Sequence, residues 1–229
     1  DWDGTLADSV PLVTTATNEV LASWGFPPVD EANIHDGMRF PTPQRMLFHI
    51  GGEAAVAMDQ DPRELSNDMA EAFYEAAERL GHRYVRLFPG VLETLRSLGD
   101  GGTPMAIVTN NRGEVVRSLV REAGLAGLFD VIVAEEDVVR PKPDPEGIRR
   151  AIAELEARRS VGIVARRSLF VGDSRTDAAA GQAAGVTVVG AAWPPASVAR
   201  TEPGLFDVVC DEPARLLDHA EHALPGEKP

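Results

Sequence analysis

Leu169-Phe170-Val171-Gly172-Asp173-Ser174-Arg175-Thr176-Asp177 is the stretch that decides the fold. An apolar run too short for a helix ends in a glycine, and an acidic helix start follows at once. Asp173 and Asp177 therefore stand at the carboxyl end of a strand, where open α/β sheets build their sites. Asp173 or Ser174 also suits a helix N-cap, and the two roles are compatible.

The same unit recurs on either side. Met105–Val108, Val131–Ala134, Val186–Val189 and Asp207–Cys210 are further short apolar runs. Helices are expected over about 113–123, after Asp144-Pro145 through Ile148, Ile152 and Leu155, over about 174–184, and over 212–223. Apolar strands alternating with helices predict an α/β fold with a parallel sheet covered on both faces.

The first part of the chain reads differently. Leu12, Val13, Ala16, Val20, Leu21 and Trp24 recur at helical spacing after a candidate cap, Ser9. Thr42-Pro43 opens a second helix through Met46, Leu47 and Ile50. Asp61-Pro62-Arg63-Glu64 starts a third, which runs through Leu65, Met69, Phe73 and Leu80, with Gly81 as its candidate end. The chain thus divides into an α/β core, residues 1–10 and 86–229, and a helical insert, residues 11–85.

Composition narrows the function. The 229 residues carry a formal net charge of −14. That balance argues against nucleic acid, whose binding rests on basic residues neutralising phosphates. No apolar run approaches the length of a membrane span. The only cysteine, Cys210, excludes an internal disulfide, and the sequence reads as cytoplasmic. Basic residues number 22, and only Lys142 and Lys228 among them are lysine.

Three more segments carry candidate chemistry. In Asp1-Trp2-Asp3-Gly4-Thr5-Leu6, two acids two positions apart in an extended segment share a side, and Gly4 lets the chain turn. Thr109-Asn110 follows a strand, where a hydroxyl and backbone N–H groups can hold a phosphate oxygen. In Arg140-Pro141-Lys142-Pro143-Asp144-Pro145, three prolines stiffen the loop around the only internal lysine. A chain that otherwise writes positive charge as arginine suggests here a need for a compact point charge.

In this order, the four segments resemble the signature motifs of the haloacid dehalogenase-like hydrolase superfamily. Phe88-Pro89-Gly90-Val91 resembles the segment where the chain re-enters the core in its phosphoglycolate phosphatase-like branch, and the helical insert looks like that branch's C1 cap. The resemblance implies a Rossmann-like core and a Mg²⁺-dependent phosphatase acting on a small phosphorylated metabolite. Asp1 would be the nucleophile and Asp3 the general acid and base. Asp1, the Asp3 carbonyl and Asp173 would bind Mg²⁺, and Asp177 would orient its water shell. Thr109 would grip the phosphoryl group and Lys142 would neutralise charge. A β-phosphoglucomutase-like transferase, an inorganic pyrophosphatase and a non-catalytic binding protein are the alternatives. The oligomeric state is left open.

Substrate candidates are Arg39, Arg45 and Asn110, with Asn111 beside it, while His49 reads as a packing residue. Trp2 stands where relatives carry a smaller apolar residue. Phosphonoacetaldehyde hydrolase-like motifs share a Trp there but replace the second Asp, so Asp3 favours ester chemistry. Hinges are expected at Asp8-Ser9 and near Arg86–Pro89. The family has an apolar strand before the nucleophile, so the sequence is expected to be a fragment lacking it.

Overall fold

A computed structural model describes residues 1–38, 40–51, 61–160 and 162–220. The chain forms two compact units, Asp1–Asp8 with Arg86–Pro229, and Ser9–Val85.

In the first unit, β1 (Ala7–Asp8) pairs antiparallel with β2 (Arg86–Leu87). The parallel strands follow. β3 (Ala106–Val108) pairs with β4 (Val131–Val133), with Ala106 opposite Val131. β5 (Leu169–Gly172), β6 (Thr187–Ala191) and β7 (Val208–Cys210) form a second set with β6 in the middle, Leu169 opposite Thr187 and Val189 opposite Val208. These β-branched and aromatic runs suit a pleated surface packed on both sides. Val108, Val131, Val133, Ile148, Leu155 and Phe170 share one buried cluster, so strand residues and the helix at 146–159 bury one another. Among the described strands, no ladder joins β3 to β5. A cavity of about 660 Å³ is lined from both sides, by Val108 and Ile148 and by Phe170, Val171 and Val186.

Strand bounds differ from the sequence reading by one or two residues. The expected last helix over 212–223 is a 3₁₀ turn, Pro213–Arg215, followed by Leu216–Ala220, and the residues beyond lie outside the described part. Proline has no N–H to donate and fits the opening of that turn.

The second unit is helical: α1 (Val10–Ser23), α2 (Glu31–Gly37), α3 (Thr42–Ile50) and α4 (Pro62–Tyr84). α1 buries Leu12, Val13, Ala16, Val20 and Leu21, and α4 buries Leu65, Met69, Phe73 and Ala76, each at the spacing of a single helical face. Asp61 caps α4 by accepting from the Arg63 N–H at 2.7 Å. Two expectations need correction. Ser9 precedes α1 but makes no side-chain cap bond. Gly81 does not end α4, which continues to Tyr84, and the Val85 N–H donates to the Gly81 carbonyl. A lone glycine weakens a helix by about 1 kcal/mol, too little to stop one whose face is buried. α2 went unforeseen, although Asp30 caps it through the Asn33 N–H.

The α/β unit continues with α5 (Val91–Asp100), α6 (Gly113–Glu122), α7 (Glu146–Arg159) and α8 (Arg175–Ala184). Among the described residues, no helix is long and apolar enough to cross a membrane, and the Cys210 thiol is buried.

Candidate active site

Lys142 lies at the centre of the site. Its ammonium donates to Asp1 Oδ1 at 2.6 Å, to Asp177 Oδ1 at 2.7 Å and to the Val108 carbonyl at 3.2 Å. Val108 ends β3, and Asp177 lies in the first turn of α8, which follows β5. The Asp1 backbone nitrogen donates to the Val171 carbonyl at 2.9 Å, which seats Asp1 against β5. Lys142 and Asp177 are buried, so the three charges act in a medium far less polarisable than water.

Asp1, Asp173 and Asp177 each bring a carboxylate oxygen within 4.8 Å of the others. Thr5 ties two of them together: its hydroxyl lies 3.1 Å from Asp173 Oδ1 and 3.4 Å from Asp1 Oδ2. The Trp193 indole N–H in turn donates to the Thr5 carbonyl at 2.9 Å. Gly4 makes the turn possible. Its φ is +75°, and a Cβ there would stand 2.7 Å from Asp173 Oδ2. Asp177 belongs to a capping box at the start of α8, where Oδ2 accepts from the Ser174 N–H and hydroxyl. Both of its oxygens are thus engaged by protein groups.

Burial and the Asp177 carboxylate push Asp173 up to about 8. Burial also opposes ionisation of Asp177, but the Lys142 charge and the bonds from Lys142 and Ser174 prevail and hold that carboxyl below the usual range.

The structure gathers Asp1, Asp173, Asp177 and Lys142, and it sets Asp3 beside Asn111, whose side-chain amide donates to Asp3 Oδ2 at 3.1 Å. Thr109 is buried after β3, and its hydroxyl accepts from the Asn111 N–H at 3.1 Å. Asn110, expected at the substrate, instead engages both polar ends of its side chain with the Lys142 backbone. Its amide matches a backbone N–H and C=O pair, which is why it docks there. Arg39 lies outside the described residues. In the helical unit Arg45 is buried over the Phe73 ring, 4.4 Å from its centroid, and His49 Nδ1 meets Asn33 Oδ1 at 2.7 Å. Thr5 and Ser174 were not foreseen as site residues in their own right; a hydroxyl next to an acidic turn was the signal available.

The sequence matches the haloacid dehalogenase-like hydrolase family over residues 1–191. The chain belongs to that family. The phosphoglycolate phosphatase of Yersinia pseudotuberculosis is 34% identical over 193 residues, covering 83% of this chain and 78% of the relative. Phosphoglycolate phosphatase 1 of Pseudomonas aeruginosa is 33% identical over 186 residues; the match covers 81% of this chain and 65% of that relative's length. Among solved structures, one described as a haloacid dehalogenase-like hydrolase from Bacteroides fragilis superposes with a TM-score of 0.80 at 25% identity, over 94% of this chain and 96% of that one.

For this haloacid dehalogenase-like hydrolase, the donor set can be tested against the Mg²⁺ its family implies. The clustered ligands are all carboxylate oxygens, the donors a hard cation prefers. Asp173 is held protonated near neutrality by burial and a like charge, a strain that a cation relieves. The residues fit.

Proposed function

We propose that this chain is a Mg²⁺-dependent phosphatase acting on a small phosphomonoester, with phosphoglycolate the first substrate to test. The observation that carries the reading is the Asp1 carboxylate held at 2.6 Å from the only internal lysine, with Asp173 and Asp177 beside it. The names of the curated relatives point the same way.

Asp1 attacks phosphorus; the Asp1 Oδ–P bond forms as the ester P–O bond breaks. Asp3 gives its proton to the departing alkoxide. Asp3, now a carboxylate, takes a proton from water, whose oxygen bonds to phosphorus while the Asp1 Oδ–P bond breaks. Orthophosphate leaves, and both acids return to their starting states. Asn111, bonded to one Asp3 oxygen, leaves the other for the proton. Thr109 steadies the phosphoryl oxygens, and Lys142 offsets the negative charge held beside Asp1. Mg²⁺ held by Asp1, Asp173 and the Asp3 carbonyl would supply further neutralisation of the phosphoryl oxygens. The helical unit, Ser9–Val85, is read as the family's cap, and Arg39, outside the described residues, stays the candidate for leaving-group contact. A reducing, cytoplasmic setting suits the lone buried thiol.

The test is phosphate release from phosphoglycolate, sugar phosphates, nucleotides and pyrophosphate, with Asp1→Asn as control. Release that needs both Mg²⁺ and Asp1, falling by roughly 10³-fold or more in the variant, supports the reading. Substantial release by folded Asp1→Asn overturns the nucleophile. No release by wild type moves the assignment to phosphoryl transfer onto another acceptor.

A further inference from the structure

Lys142 makes its ion pairs from a loop, and a loop lysine has a flexible four-carbon stem to order. The loop itself is anchored upstream, where Glu146 accepts from the Val139 N–H at 2.9 Å and the Arg140 N–H at 3.2 Å. Neither bond reaches Lys142. What does reach it is a side chain 32 positions away. Asn110 Nδ2 donates to the Lys142 carbonyl at 2.8 Å, and Asn110 Oδ1 accepts the Lys142 N–H at 2.9 Å. The end of β3 therefore grips Lys142 twice, at its root through Asn110 and at its tip through the Val108 carbonyl.

We infer that Asn110 is a positioning residue, clamping the Lys142 backbone so that the ammonium stays on Asp1 and Asp177. The clamp has chemical limits. It needs a donor and an acceptor on one short planar group. Aspartate supplies only the acceptor and glutamine is a carbon too long. Of the twenty side chains, asparagine alone offers both at this reach. With both polar ends of its side chain turned to the Lys142 main chain, Asn110 is expected to contribute to the chemical step rather than to substrate affinity. This kinetic part rests on the phosphatase reading; the clamp itself does not.

The chain has only two lysines, which makes the test direct. The 229-residue chain labelled with ¹³C,¹⁵N-lysine gives two backbone amides and two ε-CH₂ groups. In wild type, the Lys142 amide is expected to exchange slowly, and its ε-CH₂ signals are expected to differ from those of Lys228. Asn110→Ala should speed that exchange by roughly tenfold or more and move the ε-CH₂ signals toward those of Lys228. Asn110→Asp, which keeps the acceptor alone, should fall between and serves if the alanine variant does not fold. On the substrate found for wild type, kcat should drop by about tenfold or more with KM within about threefold. Unmoved lysine signals in both variants would overturn the clamp. A raised KM at constant kcat would overturn it too, by making Asn110 a substrate contact. Wild type without phosphatase activity leaves the lysine spectra to decide, so the two failures are told apart.

Discussion

Lys142 Nζ lies 2.7 Å from Asp177 Oδ1, and neither side chain keeps more than a trace of solvent contact. Two opposite charges taken out of water together are sustained by each other and by the bonds around them. Removing one partner leaves the other buried and uncompensated.

Lys142→Met is therefore expected to cost about 3–5 kcal/mol of stability along with nearly all turnover. Lys142→Arg should fail as well, because a planar guanidinium does not fit a pocket built for a compact ammonium. Denaturant titration beside a phosphate-release assay checks both. Wild-type stability in the methionine variant would show that the pair contributes nothing to the fold.

Asp173 sets the response to pH. Its carboxyl is raised to about 8, so the metal-free folded state holds a proton that the unfolded chain has lost. The sign follows: this group lowers stability as pH climbs from the ordinary carboxylate range toward 8. Cation binding needs the carboxylate, so Mg²⁺ affinity should rise between about pH 6 and about pH 9, with proton release near neutrality. Calorimetry in buffers of different ionisation enthalpy measures that release. Asp173→Asn should abolish it.

Gly172 packs directly under Asp177. A Cβ at 172 would stand 2.3 Å from Asp177 Cβ, an approach no rotamer change can relieve. Gly172→Ala should displace Asp177 from Lys142 and Ser174, lowering activity by roughly tenfold or more and stability by about 1–3 kcal/mol. Gly204→Ala, with nothing within 4 Å of the added carbon, is the matched control and should behave as wild type.

His49 makes the helical unit acid-sensitive. Burial, and then the Arg45 charge, lower its pKa to about 4. Nδ1 donates to Asn33, and Nε2 is buried without a hydrogen-bond partner among the described residues, so a second ring proton finds no acceptor among them. The stabilising effect of the neutral ring is full above the unfolded value near 6.5 and is lost as pH falls through 4. Because the ring is partly exposed, the loss should be about 1 kcal/mol, a few degrees in Tm. His49→Gln should flatten melting temperature between those limits; an unchanged slope would locate the acid sensitivity elsewhere.

Much of the α/β unit was legible because period and punctuation agree there. Leu169–Gly172 is short, apolar and followed at once by a capping box, so strand, turn and helix are each marked. Asp173 and Asp177 stood out for the same reason, since they follow β5 directly in that turn and helix start. The grip of Asn110 on the Lys142 backbone was not legible, because its type suits a phosphate as well as a backbone and its partner lies 32 positions away. Gly81 was misread because a glycine's intrinsic cost is local, whereas the burial that overrides it is contributed by the rest of α4's face. The Thr5 bridge between Asp1 and Asp173 depends on distances that no spacing along the chain encodes.

Asp1 bonds to a residue 170 positions downstream, and Lys142 reaches back across 141. During synthesis Asp1 is made well before Lys142, and Asp173 and Asp177 follow later still. Contacts that close such long loops form slowly. The nascent chain therefore cannot assemble its acidic cluster until Asp177 is translated, and folding of the helical insert can precede it. The grouping of charge arrives late in synthesis, after the helical insert has been made.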